Sequence, residues 1–235
     1  SDGEYIAVGM YDFLVLFDKD SSTPLWSYDA HYTVHSVSVS ADGEYIAAAD
    51  DDGIHLFDKD SSTPLWSYAP GASFWSVSIS ADGDYIAAGG TDRKVYLFDK
   101  DSSTPEWSYE TDSSGSDVYS VDISADGEYI VAGSQNDKIY LFHKDNSTPV
   151  WSYDSYDDVQ SVAISADGEY IVVGEQDNDG TIHLFDKDSS TPLWSYSTGG
   201  DVNSVSISSD GEYMVAGSND PVSYTHLTLP TNREV

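Results

Sequence analysis

The 235-residue chain has no cysteine, and only nine lysines and arginines stand against 42 aspartates and glutamates, which gives a formal charge of −33. The missing cysteines exclude disulfides, thiolate metal sites and cysteine nucleophiles. The scarcity of positive charge argues against nucleic-acid or anionic-lipid partners, because a surface this negative repels phosphate groups. Two interpretations stay open for the acidic surface: it is simply well solvated, or it attracts cations or a basic partner.

Long apolar runs are also missing. No stretch of about 18 apolar residues occurs, so we expect no membrane insertion by this chain. No signal peptide is visible, but the chain opens at Ser1 inside a repeated phrase, so a lost leader is not excluded. The acidic composition, rich in Ser, Thr and Tyr, favours an exported or cell-surface protein, although an acidic cytosol would suit it too.

What the chain does have is repetition. A phrase of the type Ser-Ala-Asp-Gly-Glu-Tyr-Ile occurs six times, at intervals of 40 to 44 residues. Variants of a second phrase, Leu-Phe-Asp-Lys-Asp-Ser-Ser-Thr-Pro-Leu-Trp-Ser-Tyr, follow each of the first five copies. The alternation of apolar and polar residues within 34–69 predicts four short strands joined by tight turns. A period near forty residues with four strands per unit is typical of a β-propeller blade.

Aromatic residues are concentrated in the last two strands of each predicted blade. One tryptophan recurs per unit, at Trp26, Trp66, Trp107, Trp151 and Trp194. Blades spread apart with distance from the propeller axis, so large side chains are needed to fill the outer part of the structure. We interpret these tryptophans as packing residues rather than as stacking platforms for a carbohydrate or a cofactor.

Two family resemblances accompany this pattern. The first half of the unit, Val-x-Ser-Val-Ser-Ile-Ser-Ala-Asp-Gly-Glu-Tyr-Ile-Ala-Ala-Gly, resembles the first half of a WD-repeat, with Phe-Asp in place of the usual Trp-Asp. The second half, with its Asp-containing turn before a Trp-bearing strand, resembles the repeats of quinoprotein-like (PQQ-like) propellers. The resemblances cover residues 1–221 and imply an all-β propeller, a fold that serves many functions.

The repeats predict four complete four-stranded antiparallel blades and two partial ones. The complete blades are 34–69, 74–109, 118–153 and 159–196, and the partial ones are 1–29 and 202–217. We therefore expect a β-propeller fragment whose parent has seven or eight blades. We favour an open arc of blades. The alternative is a closed five-bladed ring, in which residues 202–208 pair with the strands of 1–29.

The last 14 residues break the pattern. Residues 222–235 match no part of the repeat and resemble the in-frame translation of a sequencing adapter. We expect this tail to be non-native and exclude it from the fold prediction.

The copies differ mainly in two sets of loops, those between blades and those between the second and third strands of a blade. A propeller places both sets on one face, and insertions confined to one face of a repeat protein often mark its binding surface. One position near the start of each first strand varies as well. Drift in exposed loops is the alternative explanation. The candidate binding residues of this variable face are His31, Tyr32, His35, Trp75, Arg93, Tyr119, Gln160 and Asn203.

A calcium site is a further candidate. Residues 175–180 have oxygen donors at alternate positions before a glycine, a spacing that calcium loops use. The candidate ligands are Glu175, Asp177, Asp179 and Asp186. Turns rich in Asp, Asn and Gly also arise for backbone reasons alone, which is the competing explanation.

No catalytic constellation stands out. Serine and aspartate are too numerous for a triad to be assigned, and no nucleophile turn or phosphate-binding glycine-rich loop is present. His55 and His183 occupy the third-strand position that Tyr96 and Tyr140 hold in other blades, which favours packing over metal ligation.

We therefore predict a non-catalytic scaffold or binding module that uses its variable face, has an unknown protein or small ligand as partner, and needs no cofactor. Two alternatives remain open: a calcium-stiffened surface or adhesion domain, and a fragment of a quinone-dependent dehydrogenase.

Overall fold

The computed structural model describes residues 3–111, 116–176 and 180–220 and the backbone of 227–228. The predicted all-β fold is confirmed, because all regular elements of the described residues are β-strands. The strands form six antiparallel sheets, four of them with four strands and two with three. The described residues contain no helix that is long and apolar enough to cross a membrane.

The sheets follow one another in chain order. The first sheet contains β1 (Tyr5–Gly9), β2 (Phe13–Asp18) and β3 (Pro24–Asp29). The second contains β4 (Val34–Val39), β5 (Tyr45–Asp50), β6 (Ile54–Asp58) and β7 (Trp66–Tyr68). The third contains β8 (Phe74–Ile79), β9 (Tyr85–Gly90), β10 (Lys94–Asp99) and β11 (Trp107–Glu110).

The remaining three sheets repeat this meander. The fourth contains β12 (Val118–Ile123), β13 (Tyr129–Ser134), β14 (Lys138–His143) and β15 (Asn146–Asp154). The fifth contains β16 (Asp158–Ile164), β17 (Tyr170–Gln176), β18 (Thr181–Asp186) and β19 (Trp194–Ser197). The sixth contains β20 (Val202–Ile207), β21 (Tyr213–Ser218) and β22 (Leu227–Thr228). The predicted architecture of four-stranded antiparallel blades is confirmed.

The invariant Ser-Ala-Asp-Gly turn is fixed by its own side chains. Asp42 Oδ1 accepts hydrogen bonds from Ser40 Oγ at 2.6 Å and from Glu44 N at 3.0 Å. Gly43 supplies the positive φ of 75° that this turn requires. Backbone bonds of 2.9 to 3.1 Å also join each turn to the next, from Ala41 N to Ala81 O, Ala81 N to Ala125 O, Ala125 N to Ala166 O and Ala166 N to Ser209 O.

Serines of the inner strands link neighbouring sheets. Ser36 Oγ accepts a hydrogen bond from Val77 N at 3.2 Å, so the hydroxyl satisfies a backbone group of the next blade. The same bond runs from Val121 N to Ser76 Oγ, from Val162 N to Ser120 Oγ and from Val205 N to Ser161 Oγ. The alternation of valine and serine in each first strand therefore serves two contacts, one with the core and one with the neighbouring strand.

The recurring tryptophans pack between blades, as predicted. The Trp26 ring stacks on Phe57 with centroids 5.5 Å apart, and its Nε1 donates to Lys59 O at 2.7 Å. The other three copies pair Trp66 with Phe98, Trp107 with Phe142 and Trp151 with Phe185, and their indoles donate to the carbonyls of Lys100, Lys144 and Lys187. Trp194 packs against the core that the fifth and sixth sheets share.

The blades form an open arc among the described residues. β20 pairs with β21 and β1 pairs with β2, so no strand pairing joins the sixth sheet to the first in the described part of the chain. The first sheet exposes Ile6 to 51%, whereas the equivalent Ile46 and Ile86 are fully buried. At the other end Val215 is 59% exposed. Both end faces therefore lack the neighbour that covers the same positions in the middle blades.

The tail falls mostly outside the described residues. Within 222–235 only Leu227–Thr228 is placed, as the short strand that pairs with β21. The interpretation of this tail as non-native stays a prediction.

Candidate functional site

The two variable sets of loops lie at the same end of the sheets. In the second sheet Val34 pairs with Asp50 and Ile54 pairs with Tyr68. This register places three loops at one end of the strands: the loop before β4, the loop between β5 and β6 and the loop after β7. The turn at Ser40 and the connector after β6 lie at the opposite end of the strands. We call these the variable face and the invariant face.

We call the place where the first strands of the sheets reach the variable face the mouth. Two candidate residues contact each other there. The rings of His35 and Trp75 meet with centroids 4.5 Å apart and an interplanar angle of 66°. His35 Nε2 lies 2.8 Å from Asp51 Oδ1, and Trp75 Nε1 donates to Asp117 Oδ2 at 3.1 Å. Each ring is therefore held in place by a carboxylate from a variable loop.

Tyr119 occupies the equivalent position on the next blade. Partial burial raises the pKa of its phenol, and the negative charges of Asp158 and Asp117 raise it further. The phenol is therefore protonated at neutral pH and can donate a hydrogen bond. His35, Trp75 and Tyr119 together form the aromatic half of the mouth.

The other half of the mouth carries amides. Gln160 Nε2 donates to Gln176 Oε1, and Asn203 Nδ2 donates to Asn219 Oδ1 at 2.8 Å. Each bond joins the varying first-strand residue to a residue at or just beyond the end of the second strand in the same sheet. The line of five varying residues thus changes from aromatic to amide along the arc.

The remaining candidates lie in the loops of the variable face. His31 adopts a left-handed φ of 59°, and its Nδ1 lies 3.0 Å from Asp29 Oδ1. Tyr32 beside it is 47% exposed. Arg93 donates to Glu110 Oε1 at 3.0 Å. None of the mouth contacts described above involves these three residues.

Three carboxylates meet beside the aromatic half. Asp137, Asp157 and Asp158 each offer one oxygen, and these oxygens lie within 4.8 Å of one another. Burial raises the pKa of Asp137, as do the charges of Asp157 and Glu175. The pKa of Asp158 is raised by burial and by Asp137 and Asp157. Bringing a cation to this point would relieve the repulsion among these groups.

The sequence did not single out the carboxylates of the mouth. Asp117 and Asp158 stand directly before Val118 and Val159, at the position that Thr33 and Ser73 hold in other blades. Comparing the copies at this position, where a hydroxyl side chain changes to a carboxylate, could have identified these two residues from the sequence.

Glu175 points into the interior of its blade and not into a loop. Its side chain is fully buried, and Oε1 accepts a hydrogen bond from Ser155 Oγ and lies 2.7 Å from His183 Nε2. Oε2 has no hydrogen-bond partner among the residues that the structure describes. Ser155 N also donates to Asp137 O at 2.6 Å, which connects Glu175 with the acidic cluster.

The structure separates two of the four candidate ligands of the predicted calcium loop. Asp186 pairs with Tyr170 at the invariant end of β17 and β18, whereas Glu175 lies at the variable end of β17. The length of β18 separates the two carboxylates, so Glu175 and Asp186 do not share a site. Asp177 and Asp179 lie outside the described residues.

The two interior histidines are packing residues, as predicted. His55 Nδ1 lies 2.8 Å from Ser67 Oγ, and Nε2 lies 3.0 Å from Asp50 Oδ2. Although burial acts to raise it, the pKa of Asp50 lies below its usual value because His55 and backbone amides bind the carboxylate. His183 makes the same pair of contacts with Ser195 and Glu175.

A cavity of about 330 Å³ lies at the invariant end of the inner strands. Isoleucines of several blades line it, together with Asp122. Asp122 Oδ1 accepts a hydrogen bond from Ser78 Oγ at 2.8 Å, and Oδ2 accepts one from Ile164 N at 3.0 Å. Burial raises the pKa of this carboxyl despite these bonds. Asp122 thus links three blades at a position where Ser38 and Ser78 stand in the second and third sheets.

Comparison with known proteins agrees with the fold. A chain of a solved structure titled "Crystal Structure of Mitotic Checkpoint Complex" superposes with a TM-score of 0.79 at 20% identity, over 93% of this chain and 72% of that one. This identity supports a shared fold and no more. No curated protein matches the chain in sequence.

A family model matches the chain over almost its whole repeat region. The model is described as outer membrane protein assembly factor BamB, of the PQQ-like repeat type, and it matches residues 1–196 and 115–223. The predicted resemblance to WD-repeat and PQQ-like propellers is confirmed by the two comparisons together. Because the match covers far more than half of the sequence, the chain belongs to the family of the outer membrane protein assembly factor BamB.

Proposed function

We propose that the protein is a non-catalytic propeller scaffold that binds a protein or a small ligand at the mouth of its variable face. One observation carries the proposal: the first-strand position that varies between copies is the one whose side chains line the mouth. Trp75 and Tyr119 stand there among carboxylates, while the serines further along the same strands keep their role between blades.

The comparisons support a protein partner in particular. The family is named for an assembly factor of outer membrane proteins, and the structural neighbour is part of a complex. The family name also supports the proposal that this chain works after export from the cytoplasm.

The test replaces the candidate residues of the variable face. A variant with His31, Trp75, Arg93 and Tyr119 all changed to Ser is compared with one in which Asp60, Asp101 and Asp188 of the invariant face become Asn. Quantitative affinity capture should show partners lost from the first variant and retained by the second. An unchanged partner profile for the first variant, with its fold verified by circular dichroism, would contradict the proposal.

The quinone-dependent alternative does not fit the donor set. Pyrroloquinoline quinone carries several carboxylates and needs positive groups around it. The mouth instead presents Asp51, Asp117 and Asp158, and the nearby Arg93 bonds with Glu110. Adding the quinone to the protein should leave its absorption spectrum unchanged, and a clear spectral shift would favour an enzyme after all.

Calcium binding is a second candidate function, now at a different place. We propose that Asp137, Asp157 and Asp158 hold the ion, because their oxygens converge and the unpartnered Oε2 of buried Glu175 adds negative charge beside them. Millimolar calcium should raise the melting temperature of the native chain and not that of Asp157→Asn/Asp158→Asn. Equal responses of the two proteins would remove this role.

A further inference from the structure

We infer that the mouth recognises an arginine or lysine side chain within an extended segment of a partner protein. The inference rests on the proposed function and specifies the chemistry of the partner. It combines three observations: the aromatic half, the surrounding negative charge and the amide half that follows along the arc.

The aromatic half suits a cation. Trp75 and Tyr119 are only partly buried, and their position varies among the copies, whereas a serine follows it in every copy. Aromatic ring faces attract ammonium and guanidinium groups, with Trp the strongest of the three aromatic side chains. The carboxylates of Asp51 and Asp117 hold the two neighbouring rings of His35 and Trp75, so the surface is preorganised.

The charge around these rings has one sign. The pKa values of Tyr119, Asp137 and Asp158 are all raised, in each case by burial and by neighbouring carboxylates. Arg93, in the loop before β10, pairs with Glu110, and Lys138, the first residue of β14, pairs with Asp154. A cationic side chain placed between Asp117 and Asp158 would be attracted by both charges and by the rings, whereas an anionic one would be repelled.

The amide half favours a peptide over a free cation. Within the described part of the chain, Gln160 and Asn203 each use one side-chain bond, which lies in their own sheet, and a primary amide offers two N–H donors and an oxygen with two lone pairs. The unused groups match the alternating N–H and C=O groups of an extended backbone. A segment lying along the arc would place its cation at the rings and its main chain at the amides.

The test uses three synthetic peptides of equal length: acetyl-(Gly-Ser-Arg)₃-amide and its analogues with Gln or Glu in place of Arg. Binding is followed by isothermal titration calorimetry in buffer with a chelator, which removes divalent ions from the acidic cluster. Trp75→Gln/Tyr119→Asn is the mouth variant, because these residue types already stand at the equivalent positions 160 and 203. Asp60→Asn/Asp101→Asn is the control on the invariant face. Circular dichroism verifies that each variant is folded.

The Arg peptide should bind the native chain at least about tenfold more tightly than the Gln peptide, and the Glu peptide should not bind. The mouth variant should lose about tenfold in affinity, the size of one desolvated cation–π contact of about 1.4 kcal/mol. The invariant-face control should change affinity less than twofold, although it removes two negative charges and the mouth variant removes none.

Two results would overturn the inference. If the mouth variant and the control weaken binding of the Arg peptide equally, its affinity depends on the overall charge of the chain and not on the mouth. Equal binding of the Arg and Gln peptides, or no binding of either, would mean that the mouth does not select a cation. The proposed function is judged separately, by whether the fourfold variant of the variable face loses its captured partners.

Discussion

The tryptophan contacts between blades predict a stability effect that depends on the neighbouring blade. Trp107 stacks on Phe142 at 5.3 Å, and its Nε1 donates to Lys144 O at 2.6 Å. Trp107→Phe retains an aromatic ring and removes this bond. A typical hydrogen bond contributes about 0.5 to 1.5 kcal/mol to stability, so the free energy of unfolding should fall by about 1 kcal/mol. For a chain of this size that corresponds to a drop of about 2–4 °C in melting temperature.

Trp194→Phe is the matched control for this change. Trp194 occupies the same position in the fifth sheet, but no hydrogen bond of its indole to a following blade is found among the described residues. Its replacement should change the melting temperature by less than about 1 °C. Differential scanning fluorimetry and urea titration of both variants measure the difference. Equal losses for the two variants would refute the role assigned to the indole bond.

Three further predictions follow from the arc and from two carboxylates. The apolar end faces should make chains associate as their concentration rises, and Ile6→Ser/Val215→Ser should reduce this association in analytical ultracentrifugation, because both side chains are exposed at the end faces; unchanged association would contradict this. Asp50→Asn should destabilise the chain at pH 7, and its deficit should shrink as the pH falls below about 3.8, since the lowered pKa of Asp50 gives stability that acid removes. The stability of Asp122→Ser relative to the native chain should show the opposite dependence on pH. The raised pKa of Asp122 favours the native chain as it takes up a proton, so the variant's melting temperature relative to the native chain should fall between pH 7 and pH 4. Melting curves from pH 7 to below pH 3.8 check both signs.

The repeat allowed the blades, turns and faces to be predicted from sequence. Each of these features depends on residues close together in the chain, such as Ser40, Asp42 and Gly43, whose contacts are visible as a local phrase. The tryptophan packing was predictable as well, because one large residue per unit has to fill the space between blades.

Contacts between copies were harder to predict. The bond from Val77 to Ser36 spans 41 residues, so nothing in either local sequence indicates its partner. The grouping of Glu175 with Asp186 in the predicted calcium loop was wrong for a related reason. Glu175 and Asp186 fit a linear spacing, but an intervening strand carries them to opposite ends of the sheet. The mouth was predicted only as a set of varying positions, and its carboxylates emerged once the blades were placed side by side.

The most direct test of the function is the affinity of acetyl-(Gly-Ser-Arg)₃-amide for the native chain and for Trp75→Gln/Tyr119→Asn. The predicted result is a loss of about tenfold in the variant, with less than twofold change in Asp60→Asn/Asp101→Asn. Equal affinities for the native chain and the mouth variant would contradict the claim that the mouth of the variable face recognises a cationic side chain.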